Sequence, residues 1–285
     1  MFRLCCSLLL LVPLTLCAQS KGPKVPEGTK VEKNLAYGTH ERQKLDLYVP
    51  AGKGPFPLIL WVHGGAWEGG NKDGGIATLG MLERGYAVAS TNYRLTQHAK
   101  HPAQINDVKG AVKYLRANAE KYNLDPKHFG VAGASAGGHL VALLGTSQHL
   151  KELDGDVGPK DTSCEVQCVL DFFGPSDLIS FPLPMSDNPI TRFLGGTTGE
   201  KKALALEASP ITHVSKKAPP FLIVQGDADN VVPLKQSEIL QEALKQAGAD
   251  SRLIVVKGGG HGDKCFTPEL MTEYAKFFDE HLRKK

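Results

Sequence analysis

The feature that most constrains this chain is an alternation along its length. Short apolar runs at residues 57–62, 86–90, 130–132, 166–172, 221–224 and 253–256 are separated by segments whose apolar residues recur at helical spacing. Continuous apolar runs suit strands buried on both faces, whereas the alternating pattern at residues 45–49 suits an early antiparallel strand. Between them, Ile105, Val108, Ala111, Val112 and Leu115 share one helical face behind Pro102, and residues 237–245 and 270–282 carry similar faces. Strands taking turns with helices predict an α/β fold, with a mostly parallel central sheet and helices on both faces. Ligands in such folds gather at the carboxyl ends of the strands. Residues 174–219 depart from the pattern. They are rich in Pro, Gly, Ser and Asp, hold one short helical stretch at 190–194, and are expected to form a small cap over the site.

The chain has 285 residues, 41% hydrophobic and 22% charged, enough for one large domain with a sizeable core. Its net charge of +3 comes from scattered basic residues, so nothing points to nucleic acid or an anionic membrane as partner. Residues 1–18 read as a secretory signal peptide. Arg3 gives the positive start, residues 8–16 form an apolar stretch too short to span a bilayer, and Ala18 is a small residue at the cleavage point. This predicts a secreted or periplasmic mature domain over residues 19–285. Lipid anchoring at Cys17 is the alternative. Cys164 and Cys168 are close enough to close a small disulfide loop in an oxidising compartment, or else lie as buried thiols, and Cys265 is left over. With no CxxC pair and ten dispersed histidines, neither a metal nor an organic cofactor is expected.

The chemistry is carried by Gly133-Ala134-Ser135-Ala136-Gly137, which follows a strand-like run and precedes the helix-compatible residues 138–144. A strand, sharp turn and helix present a serine hydroxyl above the sheet, and glycines on either side remove β-carbons that would collide there. A serine hydroxyl needs a histidine to take its proton and a carboxylate to hold that histidine in the right tautomer. His261, in a glycine-rich loop after the last apolar run, and Asp229, after the preceding one, supply them in the order serine, acid, histidine. Asp227 is the rival acid, with a loop-tying role as its duller reading. Oxyanion donors are expected from Gly64, Gly65 and the Ala136 N–H. His63 then braces its loop, Trp67 walls the substrate pocket or packs in the core, and His139 packs in the helix.

These residues, together with Asn92-Tyr93-Arg94 and Gly174-Pro175-Ser176-Asp177-Leu178, resemble the secreted esterases of the α/β-hydrolase fold. The likeness is nearest to the bifunctional acetylxylan and feruloyl esterase group, and more distant to hormone-sensitive-lipase and kynurenine formamidase relatives. It implies a serine esterase with Ser135 as nucleophile, Asp229 as acid and His261 as base. Ala66 stands where lipase-like relatives often carry a third glycine, and their large N-terminal cap is missing, which favours short acyl or aryl esters. The substrate is then a small-molecule or polysaccharide ester, with acetyl or feruloyl as acyl group. The same apparatus would also serve a small amide, a formamide or a peptide. A non-catalytic exported binding module is the remaining reading.

Overall fold

Every apolar run forms a strand of one eight-stranded sheet. The computed structural model describes residues 25–74, 76–182 and 186–283, so the expected signal peptide and Cys17 lie outside the described residues. In chain order the first half comprises β1 (Lys30–Ala36), β2 (Lys44–Val49), β3 (Phe56–Val62), β4 (Ala87–Thr91), α1 (Ala103–Ala117), β5 (Leu124–Ala134) and α2 (Ala136–Ser147). The second half comprises β6 (Cys168–Phe172), α3 (Pro189–Leu194), α4 (Lys202–Glu207), β7 (Phe221–Gly226), α5 (Leu234–Gln246), β8 (Ser251–Val256) and α6 (Pro268–Leu282). The sheet runs β1-β2-β4-β3-β5-β6-β7-β8, antiparallel from β1 to β2 and β2 to β4 and parallel from β4 onward.

The central strands are apolar on both faces because both are covered. Leu58, Leu60 and Val62 of β3 join the layer with α1, α2 and α5, while Ile59 and Trp61 join the layer with α6. A fully buried side chain of this kind contributes about 1.5–3 kcal/mol. Packing on both faces therefore fixes where β3, β5 and β7 end, edge strand β8 is set by its pairing with β7, and the loops leaving these four ends carry the candidate residues.

Two elements escape the periodicity. β1 is an edge strand with mostly exposed side chains and a register shift between Glu32 and Leu35, so it shows no apolar face. In α4 only Ala205 is buried, too little for a helical pattern.

Of the two readings for the thiol pair the structure carries the second: Cys164, Cys168 and Cys265 are all free, buried thiols. Cys168 lies in the α6 layer with Phe278 and Leu282. The Cys164 thiol instead donates to Asp154 Oδ1 at 3.3 Å, in the cluster that Asp154 forms with Lys109 of α1. The two side chains face opposite layers of the sheet, which short sequence spacing does not reveal.

Candidate active site

Ser135 occupies the single residue between β5 and α2, at φ 56° and ψ −121°. Its N–H donates to Phe172 O of the neighbouring strand, and its carbonyl accepts from His139 N, both at 2.9 Å. Such a backbone costs roughly 1–3 kcal/mol and persists only where its surroundings over-determine it. The glycines are part of that constraint. A β-carbon on Gly137 would stand 2.1 Å from Val62 O, and one on Gly133 would stand 2.4 Å from Gly137 O. Only hydrogen fits at either place, so β5 and α2 can approach closely enough to lift the serine above the sheet.

The loops after β7 and β8 bring acid and histidine together. His261 Nδ1 donates to Asp229 Oδ2 at 2.8 Å; the Asp229 side chain is 0% exposed and the imidazole 22%. The same carboxylate accepts from Gln225 Nε2 at 2.8 Å and, through Oδ1, from Val231 N and Val232 N at 2.8 and 3.0 Å. Four hydrogen bonds thus fix the acid, and its bond to Nδ1–H leaves Nε2 as the free basic nitrogen. Asp227 points elsewhere and accepts from Gly258 N at 2.6 Å, tying its own loop. The His261 ring lies 4.7 Å, centroid to centroid, from Phe173, next to the residue that accepts from Ser135 N. No hydrogen bond joins Ser135 Oγ to His261 among the described residues. Such a separation is compatible with a catalytic pair, whose hydrogen bonds often tighten only around substrate.

The loop after β3 forms the opposite wall. Ala66 and Trp67 both have positive φ, 54° and 61°, and Gly65 O accepts from Glu68 N and Gly69 N at 2.9 Å. Ser135 and Ala136 face an apolar cavity of about 100 Å³, bounded by Ala66 and Trp67, by Val231 and Val232, and by Phe181 and Ile190 from residues 174–219. Gly64 lies beneath, against Ala134 O and Ser135 Cβ, so the residue of this loop that reaches the cleft beside Trp67 is Ala66. The sequence had marked Ala66 only as a missing third glycine. Its place in that run is the signal that could have found it.

The other histidines are set by burial. His63 stacks on Tyr93 at 4.4 Å and its Nδ1–H donates to Gly64 O at 2.7 Å. Its pKa is pushed down to about 4, by burial first and then by the nearby Arg42 cation. It is a neutral brace. His139 and Trp67 are also buried, the indole stacking on Phe193 of α3 at 4.5 Å. Among the described residues no group of three or more His, Cys, Asp or Glu side chains is arranged to hold a metal ion.

A missed residue lies beneath the serine. Asp171 is fully buried, Oδ1 accepts from Gly174 N at 3.0 Å, and Oδ2 has no partner. Burial, partly offset by that hydrogen bond, raises its pKa from 3.8 to about 7. An unfolded aspartate titrates near 3.9, so the folded chain holds a proton that the unfolded chain releases. Stability is then full below about pH 4 and falls as pH rises through about 7. Asp171→Asn, which cannot ionise, is expected to exceed the parent in stability by on the order of a few kcal/mol at pH 8 and to match it near pH 4. Denaturant melts at both pH values measure this; an equal difference at the two would contradict it.

The BD-FAE family model matches residues 45–244. The chain belongs to that family. Among curated relatives of this BD-FAE chain, Esterase LipC of Mycobacterium tuberculosis is 31% identical over 245 residues, covering 81% of this chain and 59% of the relative. A probable isoprenylcysteine alpha-carbonyl methylesterase of Arabidopsis thaliana is 27% identical, over 82% of this chain and 51% of the relative. The BD-FAE chain thus spans between half and three-fifths of their lengths. Among solved structures, a truncated carbohydrate esterase from gut microbiota superposes with a TM-score of 0.85 at 35% identity, covering 91% of this chain and 99% of that one. An acetyl ester-xyloside bifunctional hydrolase from Caldicellulosiruptor lactoaceticus does so with a TM-score of 0.70 at 26% identity, covering 83% and 88%. The fold is that of the α/β-hydrolase esterases.

Proposed function

We propose that this chain is a serine carboxylic-ester hydrolase for short acyl groups, with acetyl esters of carbohydrates as its substrate class. The observation that carries the reading is the buried Asp229 holding His261 Nδ1 at 2.8 Å, with Nε2 left free, on the same rim as the strained Ser135. Substrate brings the pair into contact. Ser135 Oγ attacks the ester carbonyl while His261 Nε2 takes its proton. Backbone N–H groups of Gly65, Ala66 and Ala136 meet the oxyanion, and His261 returns the proton to the departing alkoxide. Water, activated by the same imidazole, then releases the acid.

The cavity sets the acyl size. A cavity of about 150 Å³ admits one benzene ring, whereas the space beside Ser135 is about 100 Å³. A methyl or ethyl acyl tail fits within this space, whereas a feruloyl ring would have to extend through its open side. The preference for carbohydrate alcohols is drawn from the likeness to the carbohydrate esterase and the acetyl ester-xyloside hydrolase. Residues 174–219 act as a cap on this reading, because they contribute Phe181 and Ile190 to the lining of the cavity. Export rests on the composition of residues 1–18 alone.

Each extra methylene in such a pocket is worth about tenfold or more in discrimination. Accordingly, kcat/KM is expected to fall at least about a hundredfold from p-nitrophenyl acetate to the octanoate, and Ile190→Ala to narrow that gap about tenfold. The deciding assay is product release from acetylated xylan and methyl ferulate side by side. Acetate without ferulate supports the reading, and ferulate released as fast as acetate would overturn its acyl assignment.

A further inference from the structure

The wall opposite His261 is held by a residue with no part in the proton transfers. His139 is wholly buried in the first turn of α2, and its ring bridges two segments far apart in sequence. Its Nε2–H donates to Ala208 O, beyond α4, at 2.7 Å, and its Nδ1 accepts from Trp67 Nε1–H at 3.2 Å. A carbonyl oxygen only accepts and an indole N–H only donates. Neutral imidazole with its proton on Nε2 is therefore the one form that satisfies both neighbours. Burial enforces that form, pushing the pKa down to about 3.

Trp67 requires such an anchor. It and Ala66 are consecutive non-glycine residues at positive φ, each costing on the order of 1–3 kcal/mol. Beyond the indole bond, Thr96 N donates to Trp67 O at 2.9 Å, and α3 clasps the loop through Phe193 on the indole and Arg192 on Glu68. The His139 backbone N also donates to Ser135 O at 2.9 Å. One residue is thus tied to the nucleophile turn, the oxyanion loop and the segment after α4.

We propose that His139 is a positioning residue, aligning the N–H groups of the oxyanion loop with Ser135 through the Ala208–His139–Trp67 relay. The assignment rests on the ester-hydrolase reading. It predicts a loss confined to the transition state, because the donors meet full negative charge only there. Trp67→Phe keeps a ring against Phe193 and removes the indole donor; His139→Leu removes the whole relay. Misplaced donors cost up to about a hundredfold. The kcat for p-nitrophenyl acetate is expected to fall about tenfold in Trp67→Phe and about a hundredfold in His139→Leu, with KM held within about threefold. Adding Trp67→Phe to His139→Leu should change kcat by less than about twofold, as both break one chain.

Wild-type kcat in Trp67→Phe, a loss expressed in KM, or factors that multiply in the double variant would each overturn the relay. Should His139→Leu fail to fold, the split between kcat and KM in Trp67→Phe decides alone. A wild-type protein without activity on any aryl acetate would overturn the ester-hydrolase reading and the relay with it. An active wild type whose Trp67→Phe variant keeps full kcat would overturn the relay and leave the reading intact.

Discussion

Ser135→Ala is expected to lower kcat on p-nitrophenyl acetate by about a millionfold, to the floor set by binding and the oxyanion donors. Among the described residues the side chain takes part in no hydrogen bond, so its removal leaves none of their buried groups unpaired. The backbone at φ 56° is held by bonds from residue 135 to Phe172 and His139 that alanine keeps. Thermal stability should therefore stay close to the parent's while turnover disappears. Steady-state kinetics beside a melting curve measures both. Turnover within tenfold of the parent would remove Ser135 from the reaction, and a collapsed fold would make the serine structural.

Asp229→Asn should cost about ten thousandfold in kcat. With its oxygen kept on Val231 N and Val232 N, the amide meets His261 Nδ1 by donating to it, which moves the imidazole proton to Nε2 and leaves no base facing the serine. Val231 N, Val232 N and Gln225 Nε2 also bond this side chain, so some loss of stability accompanies the change. Asp227→Asn is the control. Among the described residues its side chain binds only Gly258 N, and asparagine can still accept, so kcat should stay within about threefold. Equal losses in the two variants, or the larger loss at residue 227, would reverse the choice of acid.

That choice shows what the chain reveals by itself. Two carboxylates two residues apart on one loop give the sequence no more than a preference, here for Asp229. They separate only when the end of β8 places His261 over one and Gly258 N over the other. The nucleophile turn was legible because sterics dictate its composition: at Gly133 and Gly137 any side chain meets backbone oxygen. The central strands were legible for a related reason, since burial on both faces leaves uninterrupted apolar runs in β3 and β7. Edge strand β1 and helix α4 bury too little to leave a pattern. His139 and Asp171 were obscure because their roles depend on partners far along the chain, Ala208 and Trp67 for one and the loop at Gly174 for the other. The thiol pair stayed open in the sequence because four residues of separation say nothing about which side of a sheet each sulfur faces.

The account also separates chemistry from selection. In the proposed reaction Ser135, His261 and Asp229 carry the acyl transfer, whereas Ile190 and Phe181 border the space beside the serine. Changes in that wall should therefore shift the ranking of substrates while the maximal rate on acetate stays near the parent's.

The central claim is that the free nitrogen of His261 activates the hydroxyl of Ser135, although no hydrogen bond joins them in the structure. The most direct measurement is the rate and site of labelling by a fluorophosphonate, followed by intact-mass and peptide mapping of the parent and of His261→Ala. The account predicts one phosphonyl group per parent chain, attached at Ser135, and labelling slower by at least about a thousandfold in His261→Ala. Labelling at another residue, or equal rates in the two proteins, would contradict it.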